Sequence, residues 1–453
     1  MVVPEPMLSP IAGILMVTAT STSVILGSSS LTKSMNLTWA STVGAAPLEL
    51  RVGLTMTLVA MLVYLVFRSD ESGKVTLMKI IIAPDSFKGS LTAKEAAEAI
   101  ERGLRRSPLK AETVLVPMAD GGEGTVQALV DATQGHMIQT QVTGPLGQTV
   151  TASYGILGDG HTAAIEMAAA SGIQFVNEQT RDPMLTTTYG TGELISKTLN
   201  QGAQEIIVGL GGSATNDGGA GMAQALGARL LDDEGRELPQ GGAALARLER
   251  IDVSGLDPRL ASTRIRLASD VTNPLTGPEG AAAVFGPQKG ADPSMVATLD
   301  AALAHYAAVI RKDLHREVET KPGAGAAGGL GAGFLAFTPA VMASGVNIVV
   351  ETTHLKELAR GADLCFTGEG GIDFQTGFGK TPMGTAQAVK ESSPGCKVVA
   401  LAGSVGAGTE ELYKAGIDAI FSISPGAVSL EDAMAKADDN LAAVAENIGR
   451  LLA

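Results

Sequence analysis

GLGGSATNDGGAG, residues 209–221, follows the apolar run Glu205-Ile206-Ile207-Val208 and leads into Met222-Ala223-Gln224-Ala225-Leu226. Strand, glycine turn and helix in that order are the repeating unit of α/β folds. Six of the thirteen residues are glycine, so backbone N–H groups can approach an anion closely, and a helix N-terminus adds a favourable dipole. Gly211, Gly212, Ser213, Asn216 and Asp217 are therefore candidate ligands for a phosphate or a metal ion.

The same pattern recurs outward from this stretch. Lys79–Ala83 runs into Pro84-Asp85-Ser86-Phe87-Lys88-Gly89-Ser90, and Thr92 with Glu95 then reads as a capping box. Thr113–Met118 runs into Ala119-Asp120-Gly121-Gly122-Glu123-Gly124-Thr125. Late in the chain, Leu364–Thr367 leads to Gly368-Glu369-Gly370, and Val398–Ala402 to Gly403-Ser404. Alternating βα units imply parallel strands covered by helices, with ligands beyond the carboxyl ends of the strands. Residues 143–178 differ, with hairpin-like alternation and turn residues. The expected architecture is a Rossmann- or flavodoxin-like α/β domain, residues 78–142 and 361–453, with a second α/β domain, 143–360, inserted into it. The cleft between them is the expected site.

At 453 residues, 45% hydrophobic and 18% charged, the chain is a globular protein too long for one ordinary core. A net charge of −14 argues against nucleic acid as a partner. Cys365 and Cys396 form no disulfide framework or metal-ligand spacing, and suit a reducing cytoplasm. None of the five histidines (136, 161, 305, 315, 354) lies in one of the strand-end turns singled out above, which disfavours Ser-His-Asp hydrolysis and histidine-held metals.

Residues 1–77 lack the alternation of the rest. Val52–Phe67 is an apolar stretch of 16 residues bracketed by Arg51 and Arg68, marginal against the roughly 20 needed to span a bilayer. A membrane anchor and a mis-assigned start upstream of Met78 compete. The second is favoured, because Met78-Lys79 runs straight into a strand.

Gly209-x-Gly211-x-x-Ala214 is a weak form of the dinucleotide fingerprint, with Asp232 and Asp233 at about the expected distance. Gly377-Phe378-Gly379-Lys380-Thr381 is no P-loop, since Phe374 stands where that pattern needs its first glycine. Lys88, Lys289 and Lys380 are candidate phosphate lysines. Asp85, Asp120, Asp217, Asp270, Glu369 and Asp373 sit in glycine-flanked or polar turns. Turn and N-cap roles are common for aspartate there, yet phosphoryl transfer needs such carboxylates for Mg²⁺ or for a hydroxyl proton.

Nine ordered motifs then carry a resemblance. APDSFKGSLTA (83–93), ADGGEGT (119–125), EMAAASG (166–172), TGELI (191–195), GLGGSATNDGGAGMAQALGA (209–228), SDVTNPL (269–275), FGPQKGA (285–291), GAGAAGGLGA (323–332) and the 367–375 stretch TGEG-x-ID-x-Q together resemble the bacterial glycerate kinase family. The resemblance covers Met78 to the C-terminus. It implies ATP- and Mg²⁺-dependent phosphorylation of D-glycerate, most often at the 2-hydroxyl, by a cytoplasmic enzyme, with assembly into a homo-oligomer left open. On this chain it implies catalytic roles for Asp217, Asp270 and Lys88, with Asp217 and Asp270 also holding Mg²⁺. Substrate and phosphate contacts fall to Asp85, Ser86, Asp120, Gly121, Gly122, Glu123, Gly211, Gly212, Ser213, Asn216, Lys289, Glu369, Asp373 and Lys380. The chain departs from the family pattern at Gly371, where arginine is usual, and at Phe374 and Phe378. The rival readings are a 3-phosphoglycerate-forming kinase, an NAD-dependent oxidoreductase and a non-catalytic relative.

Overall fold

A computed structural model describes residues 14–17, 23–28, 31–36 and 77–453. The first three segments form an antiparallel sheet, β1 (Ile14–Val17), β2 (Ser23–Ser28) and β3 (Leu31–Asn36). The apolar stretch 52–67 lies outside the described residues.

Leu77–Ala453 is one compact unit built on two principal sheets. The first has five parallel strands in the order β16-β15-β14-β4-β5, comprising β4 (Met78–Ile82), β5 (Ala111–Leu115), β14 (Leu364–Ile372), β15 (Lys397–Val405) and β16 (Ala419–Ser422). The second has six, in the order β13-β12-β9-β8-β7-β6. Its members are β6 (His136–Thr143), β7 (Thr149–Ile156), β8 (Thr162–Glu166), β9 (Glu205–Gly209), β12 (Arg264–Ala268) and β13 (Val341–Ala343). The β6–β7 hairpin is antiparallel, as its alternation suggests, whereas β8, β9, β12 and β13 run parallel. A two-stranded ribbon, β10 (Arg229–Leu231) and β11 (Arg250–Asp252), stands apart from both. Because β6 pairs along its whole length with β7, the chain has changed sheet by His136, ahead of the expected break after residue 142.

Strand alternation assigns the layers. Ile80 and Ile82 face an apolar cluster shared with the helices Ala93–Arg106 and Ala437–Leu452, while Ile81 and Ala83 face the opposite side. On the second sheet, Ile206 and Val208 pack towards the helix Tyr189–Asn200, and Ile207 points the other way. The inward faces meet in one cluster. Ile81, Cys365 and Val398 of the first sheet share it with Ala164, Ile207 and Ala268 of the second, through the helices Thr125–Thr133, Gly345–Thr352 and Thr381–Ser392. The apolar helix Pro293–Leu314, long enough to span a bilayer, buries Leu299, Leu303, Tyr306 and Ile310 in the core.

The β14–β15 pair outruns its sheet. β4 stops pairing with β14 at Phe366, but β14 and β15 continue to Ile372 and Val405. Glu369 therefore lies on an extended strand rather than in the expected turn.

Candidate active site

The carboxyl ends of both sheets converge on the turn Asp120-Gly121-Gly122. Gly121 needs its positive φ of 91°, and a Cβ there would stand 3.0 Å from the Ala268 carbonyl at the end of β12. The carbonyl of the same glycine packs on Gly209 at the end of β9. The N–H of Gly122 donates to Asp120 Oδ1 at 3.0 Å, fixing the carboxylate over the turn.

Asp120 is the hub of four carboxylates. Asp85 ends β4 almost fully buried, and it accepts from the Thr381 hydroxyl and, at 2.6 Å, from the Ser86 N–H. Burial pushes its pKa up to about 7; Asp120 and Glu369 push the same way, while the Thr381 and Ser86 bonds oppose them. Glu369 accepts from Thr376 Oγ1 at 3.0 Å and lies 3.6 Å from Lys380 Nζ. Its pKa is raised by burial, with a smaller push from Asp120 that Lys380 and Thr376 counter. Asp270, just past β12 and open to solvent, is raised by partial desolvation and again by Asp120, against hydrogen bonds from Ser344 and the Gly345 N–H. Asp85, Glu369 and Asp120 come from the first sheet and Asp270 from the second, so the cluster straddles the junction.

One cavity is lined by this hub, and a second lies past β9, where Gly211 approaches Gly122 of the Asp120 turn. The first, of about 360 Å³, is lined by the charged residues Asp85, Lys88, Asp120, Glu369 and Lys380, and also by Gly403 and Ser404 of the β15 overhang with Ile423, Leu430 and Met434. Ser86 and Lys88 also line a smaller neighbouring hollow with Glu123. The other cavity, of about 340 Å³, lies past β9 and contains Gly211, Gly212, Ser213, Gln288 and Lys289.

Several expected site residues lie elsewhere. Asp217 is fully buried and accepts from the N–H groups of Thr188, Gly219 and Gly221 and from the Thr188 hydroxyl. It closes the N-terminus of the helix Ala220–Ala225 from inside, so its catalytic and Mg²⁺ roles are corrected to a structural one. Burial raises its pKa and the four donors oppose that. Asn216 is equally buried and lines none of these cavities, and its amide meets no partner among the described residues. Asp373 caps the short helix Phe374–Phe378 by accepting from the Gln375 N–H at 2.8 Å and lines none of these cavities. Lys289 is also buried, donating from Nζ to the Thr215 carbonyl at 2.7 Å, yet it stays on a cavity wall. Burial lowers its pKa to about 7 despite the nearby Asp217. The Phe378 side chain is outside the described residues.

Sequence reasoning passed over Thr381, Thr376 and Ser344, which hold the carboxylates, and Glu166. The Glu166 carboxylate, at the end of β8, accepts from the Val126 N–H at 3.1 Å and so caps the helix Thr125–Thr133 from the other sheet. The signal for Thr381 was present, next to the flagged Lys380. Glu166 is separated from its partner by 40 residues and had none.

A carboxylate cluster with lysines at the meeting of two parallel-sheet ends is what transfer of a charged group requires. The family model described as the glycerate kinase family matches residues 80–453. The chain belongs to the glycerate kinase family. A glycerate kinase from Bacillus subtilis is 54% identical over 82% of this chain and 97% of its own length. A glycerate 2-kinase from Escherichia coli K12 is 52% identical over 83% of this chain and 98% of its own. The crystal structure of a proposed glycerate kinase 2 from Salmonella typhimurium LT2 superposes with a TM-score of 0.77 at 51% identity, covering 83% of this chain and 98% of that one. Membership in the glycerate kinase family makes this protein an enzyme of the kinase class, and its mixed α/β fold is that of the family.

Proposed function

We propose that this protein transfers the γ-phosphoryl group of ATP to the 2-hydroxyl of D-glycerate, giving 2-phosphoglycerate. The observation that carries the reading is the Asp120 hub, where carboxylates from both sheets meet beside Lys88 and Lys380. The two sheets act as the two domains of the enzyme, and its setting is the cytoplasm.

The donor set at the hub is oxygen only, which suits a hard cation such as Mg²⁺. Among the described residues no three acidic, histidine or cysteine side chains form a cage. An ion there would be held by one or two carboxylates and completed by phosphate oxygens. Asp120 and Glu369 are the residues to hold it, with Asp85 beside them. When bound, the ion would supply positive charge to neutralise the phosphate chain. Lys88 and Lys380 add positive charge to the transferring group, and Asp270 orients the acceptor hydroxyl and takes its proton.

An NAD-dependent oxidoreductase fits less well. The helix after the glycine run begins only at Ala220, and the Asp217 carboxylate fills the N-terminal position that a pyrophosphate would need. The deciding experiment is a coupled ADP-release assay with D-glycerate and Mg²⁺, with the product read by phosphorus NMR. A phosphorus signal of 2-phosphoglycerate is expected. A 3-phosphoglycerate signal corrects the position, and no ADP release with D-glycerate removes the reading.

A further inference from the structure

The two cavities differ in charge. The first is lined by three carboxylates and two lysines together with apolar Ile423, Leu430 and Met434. The second has no acidic residue on its wall. Its one charged group, Lys289, is a donor, and the Gln288 amide and Ser213 hydroxyl can each donate as well. Lys289 is 1% exposed and spends one of its three N–H groups on the Thr215 carbonyl. The backbone N–H groups of Gly211, Gly212 and Ser213 donate to no acceptor among the described residues. Consecutive free N–H groups around a glycine with φ of 75° make an anion-binding concavity.

A nucleoside triphosphate is a polyanion that arrives with a divalent cation and carries a flat apolar base. It suits a cavity that combines carboxylates and lysines with apolar wall residues. A small hydroxy acid brings a bare carboxylate and needs donors without competing acids. We propose that the substrates meet Asp120 from opposite sides. The nucleotide lies over the first sheet with its base against Ile423, Leu430 and Met434. The carboxylate of the acceptor binds the Gly211–Ser213 N–H groups and Lys289 over the second. Val271 lines this second cavity, and its neighbour Asp270 stands between the acceptor and the hub. This placement rests on the kinase reading above.

Two substitutions test it. Leu430 is 76% exposed, so Leu430→Glu leaves the fold alone while setting a like charge against the nucleotide. It is expected to raise KM for ATP about five-fold or more, with KM for D-glycerate within about two-fold. Ser213→Asp places a carboxylate in the second cavity, and is expected to raise KM for D-glycerate about ten-fold or more with KM for ATP little changed. Thermal unfolding confirms that each variant is folded. The opposite assignment, or equal effects on both constants, overturns the proposal. If the unaltered protein releases no ADP with D-glycerate, the kinase reading fails by itself. Calorimetry with the non-hydrolysable analogue adenylyl imidodiphosphate and Mg²⁺ then still decides the nucleotide side: weakening by Leu430→Glu but not by Ser213→Asp supports it, and any other pattern overturns it.

Discussion

Gly345 stands against the main chain of Asp120 so closely that a Cβ would lie 1.8 Å from its carbonyl oxygen. Gly345 is also the first residue of the helix Gly345–Thr352, whose N–H contacts Asp270. One glycine thus seats the hub carboxylate and steadies a second. Gly345→Ala must push the Asp120 turn away. Overpacking of this kind costs about 1–3 kcal/mol, and a misplaced reacting group costs on the order of 10²-fold in rate. The expected result is a lowered Tm together with a steep fall in kcat. Unchanged values of both would mean that the turn yields without consequence.

Asp120→Asn and Asp217→Asn are expected to fail in opposite ways. The first keeps the Gly122 N–H contact but removes the central charge, so kcat should drop by roughly 10²-fold or more while Tm holds. The second puts an amide NH₂ among four inward donors. A mismatch of that kind in a buried cluster costs about 2–4 kcal/mol. Differential scanning calorimetry should show Tm lower by several degrees, with turnover largely kept at low temperature. Loss of kcat at constant Tm in Asp217→Asn would return that residue to the catalytic set.

Lys289 sets a pH dependence of stability. Its pKa is lowered to about 7 in the folded protein by burial, against about 10.4 in an unfolded chain. Below pH 7 both states carry the proton, and the burial cost is present in full. Between about pH 7 and 10 the unfolded state binds more protons, so this group makes stability rise with pH, by at most about 1.4 kcal/mol per unit. Urea midpoints at pH 7, 8 and 9 should therefore rise more in the unaltered protein than in Lys289→Met. Parallel pH profiles would show that the buried amine stays charged.

Gly371 lines the first cavity beside the Ser404 hydroxyl, which an added Cβ would meet at 3.3 Å. That contact is tight, and a longer side chain is accommodated only if the Ser404 hydroxyl turns aside. Gly371→Arg would bring a guanidinium to where the phosphates of the nucleotide are placed. Charge-assisted contacts of that kind are among the stronger hydrogen bonds. The expected outcome is KM for ATP lowered several-fold with KM for D-glycerate unchanged. A rise in KM for ATP would show that the glycine keeps the cavity clear.

The βα units, the capping box at Thr92 and Glu95 and the β6–β7 hairpin were legible because each is set by residues close in sequence. Asp85, Asp120, Asp270 and Glu369 were legible as a group, since strand ends beside glycine turns are where such sheets place ligands. Which aspartates face solvent was not. Asp217 sits in the richest glycine run of the chain, yet its carboxylate turns inward because three backbone N–H groups and a hydroxyl have no other acceptor. Thr381 is separated from Asp85 by 296 residues and meets it only because β14 lies beside β4. The overhang of β14 and β15 is likewise a property of the pair, because neither strand alone says where β4 will stop.

The apolar cluster common to both sheets limits how this enzyme can breathe. Swinging two halves apart requires a seam that tolerates water. Here the seam holds Ile81, Met118, Leu129, Ile207 and Val349, all with no or almost no exposed surface. Wetting it would forfeit about 25 cal/mol for every Å² of apolar surface exposed. Opening through the middle of the molecule is thereby disfavoured, and on the proposed placement substrates and products are expected to pass at the rims, by Leu430 on one side and Gly211 on the other. For the same reason neither sheet is a severable part. A fragment ending before His136 or beginning after Ala343 would carry half of that seam bare into solvent.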